Sequence, residues 1–153
     1  MKSLSDSRCK DEILARLANV RSDTPRRWGK MDARQMICHL NDCFLGVMGD
    51  RPMEIPKGFS MLAVMKWFVL YTPIRWPQGV PTRPEFDQHT GGGTPPAEFE
   101  ADMHNLIKSM EKFTARPRNF HLRPHPMFKE MSEADWMRWG YLHMDHHLRQ
   151  FGQ

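Results

Sequence analysis

The sequence predicts an all-α fold, a four-helix bundle with one long crossover. Three observations point there. Apolar residues recur at helical spacing in separate segments. Two segments open on Asp or Ser with a capping-box partner three residues on. No pair of alternating apolar segments is present to pair as strands, and no internal repeat or low-complexity tract appears. At 153 residues the chain suits one domain, 1–153, with a real core.

The first helix is expected from about Asp6 to Arg21, where Ile13, Leu14, Leu17 and Val20 recur at helical spacing and "SDTPRRWG" ends the run. The second opens with "DARQ", with Asp32 as cap and Gln35 completing the box, and it closes near Gly49 with Pro52 beyond. The third is expected after "GGGTPP", with Thr94 as cap and Pro95 in the first helical position. The fourth opens with "SEAD", Ser132 to Asp135, and runs to about Phe151. Between the second and third lies a long connection, Asp50 to Gly93. Within it "SMLAVMKWFVLY" reads as a short extra helix, apolar almost all round and expected to be buried. The rest of it is rich in Pro and Gly, and so long a loop is expected to cover something.

Composition narrows the function classes. Hydrophobic residues make up 40% and charged residues 26%, as in an ordinary globular protein rather than a disordered one. The net charge of +4 is scattered and shows no nucleic-acid recognition motif; DNA binding would predict a steep salt dependence. Three cysteines, an odd number, and an N-terminus without an apolar signal core favour a reduced, cytoplasmic protein. The longest apolar run is interrupted by Lys66 and broken at Pro73, too short for a bilayer span.

The histidines carry the chemistry. "YLHMDHHLRQ" holds three of eight. At about 100° per residue, Trp136, Trp139, His147 and Gln150 fall on the side of His143, with His146 at the edge. Arg138, Asp145 and Arg149 fall opposite, as the expected solvated stripe. Imidazoles at i and i+4 stand one above the other and can reach one cation. A third ligand should come from a facing helix, and His39 sits on the inward side of the second, with Cys43 one turn below. Gly46 and Gly140 share these faces and would leave room for a ligand. The alternative is a core His39 bonded to a carbonyl and a solvated His143, His146, His147 cluster near a helix C-terminus. Spacing leaves both open; the cost of burying adjacent imidazoles without a cation favours the metal.

Other residues have two readings. Cys43 offers a thiolate ligand or nucleophile, or is a small buried residue; Cys38 is a packing residue. Asp42 orients a ligand or stands exposed at the bundle rim. Gln150 bonds a substrate or ends its helix. "GGGT" suggests an anion site but lacks phosphate-loop spacing and is better read as a turn. Trp67, Trp76 and the segment Phe59 to Thr72 line a pocket, pack in the core or form a subunit interface. His89, His104, His121 and His125 are read as surface or loop residues.

"WGKMDARQMICHLNDCFLGVMG" is similar to the second-helix motif of the DinB-like (YfiT-like) superfamily. "PTRPEFDQHTGGGTPPAEFEADMHNLI" and "HPMFKEMSEADWMRWGYLHMDHHLRQFG" resemble a subgroup of it, so that the resemblance covers about Trp28 to the C-terminus. It implies a four-helix bundle with a divalent metal, zinc, nickel or similar, held by His39, His143 and His147, and it gives His146 a position that does not bind the metal. It also implies a metal-dependent transferase using a low-molecular-weight thiol such as bacillithiol or mycothiol; other members are maleylpyruvate isomerases or hydrolases. Three ligands leave a coordination position open for a thiol or water. The expected partner is a small-molecule substrate, with a homodimer possible by base rate and neither nucleic acid nor membrane. The competing class is a non-catalytic metal-binding or interaction module.

Overall fold

The computed structural model describes residues 1–55 and 63–153. Among them the fold is all-helical, with no strand: α1 (Ser7–Leu17), α2 (Ala33–Met48), α3 (Ala63–Tyr71), α4 (Phe99–Thr114) and α5 (Glu133–Gln150), plus a 3-10 turn at Pro84–Phe86. No helix is long and apolar enough to cross a membrane among those residues.

The helix starts follow from their caps. Asp32 accepts from Gln35 N while the Gln35 side chain accepts from Asp32 N, and Ser132 and Asp135 make the same reciprocal pair at α5. Gly49 closes α2 at φ 85°, a left-handed conformation that costs glycine least. α2 packs along α4, α1 along α5, and α5 also meets α2 and α3. Met36, Leu40 and Phe44 of α2, Leu106, Met110 and Phe113 of α4, and Trp136, Met144 and Leu148 of α5 are all enclosed in one core. Phe44 and Phe113 pack with centroids 5.0 Å apart. Each such side chain contributes about 1.5–3 kcal/mol of burial.

Four expectations change. α1 ends at Leu17 rather than Arg21; the chain turns there, and Val20 still reaches the core from the turn. α4 begins at Phe99 rather than after Thr94, because Asp42 takes both the N–H and the hydroxyl of Thr94, and a following Pro disfavours helical backbone at Pro95. α3 is not buried: Leu70 is enclosed, but Val64, Met65, Trp67 and Phe68 are exposed. It is tied down by its polar edge instead. Tyr71 Oη and Lys66 Nζ donate to Asp135 at 2.6 and 3.0 Å, and Arg138 Nε donates to the Leu70 carbonyl at 2.8 Å. The first part of the expected extra helix, with Phe59, lies outside the described residues. Finally, the α5 charged stripe is half-buried rather than solvated, since Asp145 pairs with Arg16 of α1 at 2.8 Å and with Arg149 at 2.9 Å.

Candidate metal centre

α2 and α5 bring His39, His143 and His147 together. Ring centroids lie 5.3 Å apart for His39 and His143, 4.8 Å for His39 and His147, and 4.9 Å for His143 and His147. All three side chains are buried. The helical phase that placed them inward therefore holds.

Hydrogen bonds fix how two of the rings present themselves. His39 Nδ1 lies 2.8 Å from the Phe86 carbonyl, which only accepts, so Nδ1 carries the proton and Nε2 is bare. His147 Nδ1 lies 2.9 Å from Gln150 Oε1. Gln150 Nε2 donates to the Trp28 carbonyl at 2.8 Å, which orients the amide with its oxygen toward His147. His147 Nε2 is thus bare as well. Outer hydrogen bonds of this kind orient metal-binding histidines. His143 is held differently, stacked on Trp139 at 4.8 Å. Its Nε2 lies 3.3 Å from His39 Nε2, and its Nδ1 is enclosed without a partner among the described residues. Since His39 Nε2 is bare, only a His143 Nε2–H can make that contact, and His143 Nδ1 is then an unsatisfied buried lone pair. An unmet buried polar atom costs about 1–3 kcal/mol. A cation shared through the Nε2 atoms would replace the His39–His143 contact, and the His143 proton would then sit on Nδ1, still without a partner among the described residues.

Electrostatics agree with this fit. Burial lowers the pKa of His39. Burial, then the neighbouring histidines, lower that of His143, and burial with His39 and His146 lowers that of His147. All three are neutral near pH 7, the state in which imidazole ligates.

Cys43 is packed in the core beside His39 and joins His39 and His143 in a group of close donor atoms that does not include His147. Its Sγ is 3.7 Å from His39 Nε2, and donor atoms of His39, Cys43 and His143 all lie within 4.8 Å of one another. Burial, then the Asp42 carboxylate, push its thiol pKa well up, so without a cation it stays protonated. Cys38 is buried with its pKa raised to about 12, chiefly by burial, as a packing residue should be. His146 stands at the edge, its ring 5.2 Å from His147 and between Trp28 and Trp76.

The cluster opens on a cavity of about 410 Å³ whose walls include Val47, Phe68, Trp76, Phe86, Met127 and Phe128. Trp76 lines it as one reading expected, whereas Trp67 stands in solvent. The glycines do not leave room for a ligand. A Cβ at Gly46 would meet the Phe86 ring at 2.7 Å, and one at Gly140 would meet Leu4 at 2.8 Å. Asp42 is fully buried rather than exposed at a rim, and its hydrogen bonds go to the loop rather than to a histidine. It accepts from Gln88 Nε2, Thr94 N and Thr94 Oγ1, each at 2.7 Å, with Arg51 at 3.4 Å. It anchors the crossover to α2 and so positions the Phe86 carbonyl behind His39. The "GGGT" stretch serves that anchor, because a Cβ at Gly92 would strike the Pro84 carbonyl at 1.8 Å. His89, His104 and His121 are exposed, but His125 lines the cavity. Sequence reasoning missed it because it lies in a turn, where helical phase says nothing.

Residues 4–153 match the family described as Protein of unknown function (DUF1569), and the chain belongs to that family. No curated protein and no solved structure matches it.

Proposed function

We propose that this DUF1569 protein is a metal-dependent enzyme in which His39, His143 and His147 hold one divalent cation, zinc or nickel being suited to imidazole donors. The observation that carries the reading is the meeting of three neutral, buried imidazoles at the wall of an apolar cavity, with two of them fixed as bare Nε2 donors. We read α1, α2, α4 and α5 as the four helices of a DinB-like bundle. A cation held there would lower the pKa of a bound thiol or water toward neutrality.

The leading reading is a transferase joining a low-molecular-weight thiol to an electrophile. The cavity volume of about 410 Å³ and its apolar walls suit a small-molecule substrate. The chain's own contribution is to hold the donors. The Phe86 carbonyl and Gln150 fix the tautomers of His39 and His147, and Trp139 fixes the plane of His143. A hydrolase using water in place of the thiol is the runner-up. A second class is favoured by one observation, the closeness of Cys43 Sγ to His39 and His143. With Cys43 as a fourth ligand the site is closed, which suits a structural, non-catalytic metal.

Elemental analysis separates these. The wild type should carry about one divalent ion per chain, lost in His39→Ala and His143→Ala and kept in Cys43→Ala. Loss in Cys43→Ala points to the closed site, and no metal in the wild type ends the reading. Turnover of 1-chloro-2,4-dinitrobenzene by the metal-loaded protein should require an added thiol; thiol-independent hydrolysis favours the runner-up.

A further inference from the structure

His125 stands outside the three-histidine cluster but in the wall of the same cavity. It heads a tight turn in which its backbone N–H and carbonyl both pair with Lys129, at 2.7 and 2.8 Å. Within the turn its Nδ1 lies 3.1 Å from Met127 N and 3.2 Å from Phe128 N. Backbone N–H groups only donate, so Nδ1 must accept, and the ring proton sits on Nε2. The ring is stacked on Phe128 at 4.5 Å and packed by Trp136 at 5.5 Å and Trp139 at 6.0 Å. Its plane and its tautomer are therefore both set before any ligand arrives. Burial, with Arg83 second, lowers its pKa to about 3, so the ring stays neutral across the ordinary pH range. Trp139 stands between His125 and His143, making centroid contacts of 6.0 and 4.8 Å with them.

We propose that His125 is the substrate-orienting donor of the cavity, its fixed Nε2–H bonding a neutral acceptor oxygen, such as a carbonyl, on an otherwise apolar small molecule. The walls supply apolar contact but little direction, and a preset N–H in such surroundings fixes orientation with little loss of freedom on binding. The inference rests on reading the cavity as a substrate site; it does not rest on the cation. His125 acts as a positioning residue, because it holds the substrate rather than reacting with it.

The test uses two probes of similar shape, 2-acetylnaphthalene and 2-ethylnaphthalene, which differ in the acceptor oxygen. The informative variant is His125→Asn, whose Oδ1 can still accept from Met127 N and Phe128 N but which has no group at the Nε2 position. Wild type should bind the ketone about fivefold more tightly than the hydrocarbon, as one net hydrogen bond provides. In His125→Asn the preference should fall within about twofold, with melting temperature and metal content kept. Nitrogen NMR of labelled imidazoles should show His125 with its proton on Nε2 from pH 5 to 8, and the ketone should shift that proton's resonance. All binding is measured before and after chelation. A preference that survives chelation and vanishes in His125→Asn supports the proposal whatever becomes of the metal. A preference lost on chelation but kept in His125→Asn overturns it and assigns the carbonyl to the cation. A proton on Nδ1, or no ketone binding by wild type, also overturns it.

Discussion

Gln150 was readable from sequence only as a residue on the histidine face, and its job needed coordinates. Its amide spans His147 Nδ1 and the Trp28 carbonyl, so it sets the proton position on one proposed ligand. Gln150→Leu should weaken metal binding about 10- to 100-fold, read by competition with a chromogenic chelator, with little change in helix content. His125 makes a second prediction. Its pKa of about 3 in the fold lies below the value near 6.5 for an unfolded histidine. Between those values the unfolded chain takes up the extra proton, so stability is full above about pH 6.5 and falls as pH drops. Urea unfolding of metal-free protein should lose up to roughly 1.4 kcal/mol per pH unit from this group, and His125→Asn should flatten the slope. The inward histidines were legible because helical phase is a strong signal. Cys43 was read both as a ligand and as a packing residue, because spacing gives a direction but not a distance, and it is buried in the core beside His39 and His143.

Helix starts with reciprocal caps, at Asp32 and Ser132, were legible in full, since the cap is local chemistry. The start of α4 was not, because Thr94, a good cap on paper, is taken by a carboxylate 52 residues away. The exposure of α3 was not legible either: an apolar helix is expected inside, yet Asp135 holds this one by Tyr71 and Lys66. Asp42 is the corresponding anchor for the crossover. Asp42→Ala leaves Arg51, Gln88 and the Thr94 N–H without their shared acceptor. It should cost about 3–5 kcal/mol by denaturant unfolding. Hydrogen exchange should speed up first in the stretch from Gln88 to Thr94, ahead of α2 and α4. If that stretch stays protected, the anchor has been misjudged.

At the scale of the molecule, the all-helical class and the inward faces of α2 and α5 that meet at the histidines followed from periodicity and capping. The cavity was legible only in part: Trp76 was one expected lining residue, but its wall also draws on α2, α5 and the turn at His125, and the turn carries no helical period. The two halves of the proposed centre, His39 and His143, are 104 residues apart in the chain. The loop-closure entropy of joining them falls on the chain whether or not an ion is present, and the full donor set exists only once both helices have docked. A cation should therefore leave the refolding rate unchanged and slow escape from the native state, as interactions absent from the transition state do. Stopped-flow chevrons with and without zinc should differ in the unfolding limb alone. An ion held there would act as a latch on a finished structure rather than a seed for it, and prolonged exposure to a strong chelator would shorten the protein's lifetime at a given temperature before it altered its shape.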